Sequence, residues 1–116
     1  MISTRGLYSE RSLYDGVQRL YRFENGYGAS VVRHQGSYGG PKGLWEIAVI
    51  KWADQYERTD ADWYLCYSTP ITEDVIGYLK EDQVNTILSF IEKLNMFGNF
   101  TSDEDAQAWE KFSNEL

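Results

Sequence analysis

Gln18-Arg19-Leu20-Tyr21-Arg22-Phe23-Glu24-Asn25-Gly26-Tyr27-Gly28-Ala29-Ser30-Val31-Val32-Arg33-His34-Gln35 decides the fold. Two runs rich in aromatic and β-branched residues flank Asn25-Gly26, the dipeptide that best tolerates the two positive φ angles of a type I′ turn. The stretch reads as a hairpin: a strand over 18–24, a two-residue loop, and a returning strand over 27–35. In that register Glu24 faces Tyr27, Phe23 faces Gly28, Tyr21 faces Ser30 and Leu20 faces Val31. The Phe23 ring then covers the bare backbone of Gly28, a favourable cross-strand arrangement.

Outward from the hairpin, 36–43 carries four Gly and one Pro and reads as a flexible connection. Leu44 to Trp52 is a third strand, apolar on both faces and so expected at the centre of a sheet. Residues 53–61 are a polar, acidic loop, and 62–68 is a fourth strand that Thr69-Pro70 ends. Residues 73–79 read equally as a short strand or a turn of helix. Val84, Ile87, Leu88, Ile91 and Leu94 then follow helical spacing, which predicts a helix over 81–94 buried against Ile47 and Val49. Thr101-x-x-Glu104 has the form of a capping box. It opens a second helix with a thin stripe of Ala106, Trp109, Phe112 and Leu116. Before the hairpin, 1–17 holds two Leu-Tyr pairs between Gly6 and Gly16 and reads as a loosely held arm or a short docking helix. The order β-β-β-β-α-α predicts an α+β fold. It is an antiparallel four-stranded sheet followed by two helices packed on one face, with an arm over 1–17 and one domain over 18–116.

Composition narrows the chemistry. At 116 residues the chain is of single-domain size, and its 16% aromatic content excludes general disorder. No apolar run approaches the roughly 18 residues of a membrane span, and the first residues lack a signal-peptide core. One Cys and one His exclude an internal disulfide and the common zinc motifs. Charge is segregated: residues 1–50 carry a net +2 and residues 51–116 a net −9. An acidic chain disfavours direct binding to nucleic acid and suits a partner with a basic surface.

Candidate chemistry is sparse. His34 has no nucleophile and carboxylate arranged around it in sequence, and Cys66 sits in a strand without a basic neighbour to activate it. Gly36 to Gly43 fails as a phosphate loop: Pro41 stands where the second Gly belongs and Gly43 where a hydroxyl belongs. Asn25-Gly26-Tyr27-Gly28 matches only the first half of an RNA-recognition element and is explained by the turn. Asp60/Asp62 and Asp103-Glu104-Asp105 lack the spacing of a calcium loop, so no metal or other cofactor is expected. Two groups stand out. Arg33, His34, Tyr38 and Lys42 surround the Gly-rich loop and form a candidate site for a small, nucleotide-like anion. Asp103, Glu104 and Asp105, with Tyr56 and Trp109 as aromatic anchors, form a candidate surface for a basic partner.

Three segments, Tyr21 to Arg33, Leu44 to Val49 and Leu65 to Leu79, resemble small bacteriophage-encoded proteins of unassigned function. The likeness covers roughly residues 21–94 and leaves out the arm and the last helix. It implies a viral origin and the bacterial host cytoplasm as the working compartment, and it carries over no catalytic or binding residue. The expectation from residues and resemblance together is a non-catalytic phage accessory protein. It would bind and modulate or inhibit a host macromolecule, for example in counter-defence, and homo-oligomers are compatible with it. The alternatives are a small-anion binding protein and a minor phage structural or assembly protein.

Overall fold

The computed structural model describes residues 1–53 and 63–116. Strand β3 (Tyr27–Arg33) lies inside the sheet, and its alternate residues feed two surfaces. Ala29 and Val31 point towards helix α1 (Glu81–Glu92), joined by Tyr21 from β2 (Gly16–Arg22) and by Ile47 and Val49 from β4 (Trp45–Trp52). Val84, Ile87, Leu88 and Ile91 close over them, all buried as their spacing predicts. On the opposite face Leu20, Ile50 and Trp52 form a second, smaller cluster against Trp63.

The α+β class and the antiparallel sheet are as expected, but the described sheet has six strands rather than four. Its order is β1 (Leu7–Leu13), β2, β3, β4, β5 (Trp63–Leu65), with β6 (Ile76–Leu79) on the same edge of β4 as β5. Both extra strands come from segments read otherwise. Residues 7–13, expected within an arm, pair with β2 along their length through a hairpin at Tyr14-Asp15, which spans the boundary drawn at residue 17. Edge strands are half-solvated, so β1 shows little apolar alternation to read. The ambiguous 73–79 stretch supplies β6. Residues 1–5 run along α1. Ser3 N–H donates to Asn85 Oδ1 (2.7 Å), Asn85 Nδ2 donates to Met1 O (2.9 Å), and Arg5 grips the Glu92 carboxylate with two nitrogens.

The hairpin itself differs by one residue. Arg22 pairs with Gly28, Tyr21 with Ala29 and Leu20 with Ser30. The loop is Glu24-Asn25-Gly26: Phe23 N–H donates to Tyr27 O (2.8 Å), and Gly26 alone in the turn takes a positive φ (+87°). The reason lies in the Asn25 side chain. Its Nδ2 donates to the carbonyls of Ile91 (2.9 Å) and Leu94 (2.8 Å), and its Oδ1 accepts from Tyr27 N–H (2.9 Å). Carbonyls at a helix end have no partner within the helix. Asn25 supplies a donor to these carbonyls, adding to the Leu94 N–H that also reaches Ile91 O (3.2 Å), and the three-residue loop is the geometry that aims it there. With the register moved, the Trp52 indole rather than Phe23 covers Gly28. Trp52 Nε1 donates to Tyr21 O across β3 (2.8 Å), and a Cβ on Gly28 would stand 2.8 Å from that nitrogen.

The helices hold two smaller differences. Helix α1 ends at Glu92, although Leu94 stays buried and bridges Phe100. Helix α2 (Asp103–Ser113) is capped by Ser102, whose Oγ accepts from Asp105 N–H (3.1 Å), not by Thr101 and Glu104. Of its expected stripe Trp109 is buried and Phe112 half-buried, while Ala106 and Leu116 are exposed.

Asn25→Ala should destabilise the fold by about 1–3 kcal/mol, the cost of losing the part-buried hydrogen bonds that join the turn to the end of α1, seen as a lower urea midpoint. Asn25→Asp should cost more at neutral pH, because a carboxylate would face the negative end of α1. That environment raises the folded-state pKa of the new carboxyl. The extra loss should therefore be present at neutral pH and fade as the pH falls through the raised value. An Asp variant equally unstable at acid and neutral pH would contradict the assignment.

Candidate functional site

Because β3 runs the length of the sheet, the loops gather at its two ends. At the Arg33 end lie the Tyr14-Asp15 turn, residues 34–44 and Tyr78. The loop expected to be flexible is tightly bonded to itself. Ser37 Oγ accepts from His34 N–H (3.0 Å) and donates to His34 O (2.9 Å), and a short 3-10 turn spans Gly40–Lys42. The amides of Gly40, Lys42, Gly43 and Leu44 all donate to carbonyls inside the loop. Engaged this way, they cannot cradle a phosphate.

The four residues expected to form one anion site divide into two pairs. Arg33 and His34 line a cleft with Asp15, Gly16, Gln35 and neighbouring glycines. The Arg33 guanidinium lies 4.4 Å from the Trp45 ring centre. Tyr38 and Lys42 sit outside that cleft beside Tyr78. Tyr78 N–H donates to Tyr38 O (3.1 Å), and Lys42 Nζ stands 6.0 Å from the Tyr78 ring. Sequence reasoning missed Tyr14 and Tyr78. Among the described residues they are the two non-glycines with positive φ, +54° and +56°, and both are exposed, at 84% and 56%. A bulky side chain in that region is strained by about 1 kcal/mol or more.

At the Tyr27 end lie the 24–26 turn, the end of α1, residues 95–99 and the first turn of α2. Asn95 organises the loop. Its Oδ1 accepts from Phe97 N–H (2.9 Å) and Asn99 N–H (3.1 Å), while its own N–H donates to Asn99 O (2.8 Å). Gly98, at φ +79°, presses on Tyr27: a Cβ there would stand 2.6 Å from the phenolic oxygen. This fixed loop carries Met96 and Phe97 side by side, 66% and 76% exposed. Asp103 and Glu104 are exposed close by, and Asp105 Oδ1 lies 3.8 Å from Lys93 Nζ.

Trp109 is not the surface anchor it was expected to be. It is 6% exposed, its ring centre lies 5.2 Å from that of Phe90, and its indole N–H donates to Pro70 O (2.9 Å). The spacing that placed it on the stripe of α2 was the signal for burial. Tyr56, the other expected anchor, lies outside the described residues. Cys66 is buried, with Sγ 3.4 Å from Ser68 Oγ. Burial pushes the Tyr21 phenol up, against the lowering pull of the Arg19 guanidinium, while the N-terminal ammonium holds the exposed Glu81 carboxyl down. Among the described residues no three His, Cys, Asp or Glu side chains could hold a metal ion, and no helix is long and apolar enough to cross a membrane. No protein-family model matches the chain, nor does any curated protein or solved structure.

Trp109→Ala should therefore behave as a core truncation and cost about 3–5 kcal/mol, measured by chemical unfolding. A change within about 0.5 kcal/mol, the ordinary surface range, would return Trp109 to the surface.

Proposed function

We propose that this chain is a non-catalytic binding protein, a phage-encoded accessory factor that occupies a basic surface on a host macromolecule in the bacterial cytoplasm. Its contact surface is the end formed by residues 95–99 and the first turn of α2. The observation that carries this reading is the pair Met96-Phe97, large, apolar and exposed on a loop whose backbone is already fixed. A pre-formed anchor loses little conformational freedom on binding. Aromatic and Met side chains are the types enriched at interface centres. Asp103 and Glu104, exposed in the first turn of α2, add negative charge to this end, which steers basic partners and repels anionic surfaces.

Phe97→Ser should leave folding intact and weaken the complex by about 2 kcal/mol or more, chiefly through faster dissociation. Asp103→Asn with Glu104→Gln should instead slow association at low salt. The partner is identified by capture from host lysate, and its kinetics with each variant are then measured by surface plasmon resonance. A partner that binds Phe97→Ser as tightly as the parent chain would defeat the proposal.

A further inference from the structure

The opposite end of the sheet carries a second site, independent of that reading. We infer that the cleft between the Tyr14-Asp15 turn and His34–Gly36 binds a purine nucleoside monophosphate, with a guanine-type base against Tyr14 and the phosphate at Arg33.

The first observation is Tyr14 itself. It occupies the leading position of a two-residue hairpin loop with φ +54°, where glycine or asparagine is the usual residue. Its ring is exposed, so burial gives nothing back for the strain. Backbone strain of this kind collects at ligand sites. The ring instead forms one wall of a cleft of about 500 Å³ with Asp15, His34, Gln35 and Gly36, a size suited to a small ligand.

The second observation is how the other walls are fixed. The His34 ring meets Tyr14 edge-on, with centres 5.1 Å apart and planes at 61°. His34 Nδ1 accepts from Gly36 N–H (3.0 Å), which places the proton of the neutral ring on Nε2. Asp15 Oδ1 accepts from Gln35 N–H (3.1 Å), which holds the carboxylate in the wall. A carboxylate accepts several hydrogen bonds at once, and its two oxygens match two adjacent N–H donors. Guanine presents such a pair on its Watson–Crick edge. Adenine presents one exocyclic amine beside a ring acceptor, which would face the carboxylate unfavourably.

The third observation is the adjoining compartment. A cleft of about 290 Å³ shares Asp15, His34 and Gln35 with the first and adds Arg33. The Arg33 guanidinium is held at the rim of this cleft, over the Trp45 ring and with Nη1 3.5 Å from the carbonyl of Gly43, a lining residue. One guanidinium suits one phosphate group. The loop amides that would hold a longer polyphosphate are already bonded within 34–44.

Calorimetric titration of the full chain with GMP, AMP, guanosine and inorganic phosphate tests this. GMP should bind, with AMP and guanosine each about tenfold weaker or more, a difference of about 1.4 kcal/mol. Tyr14→Gly removes the strain, so its melting temperature without ligand should be unchanged or higher while GMP affinity falls at least about tenfold. A structural role for Tyr14 would move both quantities down together. Asp15→Asn keeps an acceptor for Gln35 N–H and should remove most of the preference for GMP over AMP. The inference is overturned if GMP gives no heat at millimolar concentration, or if phosphate alone binds as well as GMP. It is overturned equally if Tyr14→Gly binds GMP like the parent chain. None of these results bears on Met96 and Phe97, whose test is separate.

Discussion

One side chain sets the geometry of the rest. The Asn25 amide ties the β2–β3 turn to carbonyls at and just beyond the end of α1. Through that tie the three-residue loop is selected over the two-residue one, and the hairpin register follows. The register places Gly28 opposite Arg22, and the bare backbone of Gly28 lets the Trp52 indole cross β3 to the Tyr21 carbonyl. Trp52 in turn anchors the second face: the Arg22 guanidinium stands 5.0 Å from its ring centre and the Tyr8 ring 4.6 Å. The same tie fixes Leu94, from which the 95–99 loop starts. Both hydrophobic faces and one candidate site thus depend on a polar contact between segments far apart in sequence.

That dependence explains what the sequence could and could not reveal. Helix α1 was legible because Val84, Ile87, Leu88 and Ile91 repeat at helical spacing and all four are buried. The sheet class was legible because strands precede helices without alternation. The register was not, because the turn dipeptide reports only local preference. A type I′ turn and a three-residue loop ending in Gly are both open to Asn-Gly, and a helix end some 66 residues away decides between them. Strand β1 escaped notice for a different reason. With one side of its backbone at the sheet edge and its residues mostly exposed or half-exposed, it has no buried stripe to announce it.

The candidate sites were legible only in part, and for related reasons. Arg33 and His34 are consecutive at the end of a strand, so sequence proximity sufficed to bring them to one cleft. Tyr38 and Lys42 are equally near in sequence, but the self-bonded loop turns them to the side of Tyr78. Tyr14 reaches the cleft through the β1–β2 hairpin, and finding it would have required recognising β1. Trp109 illustrates the opposite error. An aromatic residue at the apolar positions of an amphipathic helix is first a core residue, and its surface role had no support beyond its type.

Some residues at the two ends are required by the fold and others are merely tolerated by it. The acidic first turn of α2 belongs to the first kind as much as the second: Asp103, Glu104 and Asp105 sit where a helix favours negative charge, and the Asp105 amide is already capped by Ser102. Acidity there is no sign of a partner by itself. Phe97, Met96 and Tyr14 have no such explanation. Exposed apolar side chains gain little by folding, and a tyrosine at positive φ loses stability by it. Met96 and Phe97 stand on a backbone fixed by Asn95, while Tyr14 stands over a cleft with walls fixed by Gln35 and Gly36. Rigid support beneath side chains that the fold does not use is what binding requires, since the ordering that a ligand or partner would otherwise impose has been completed in advance.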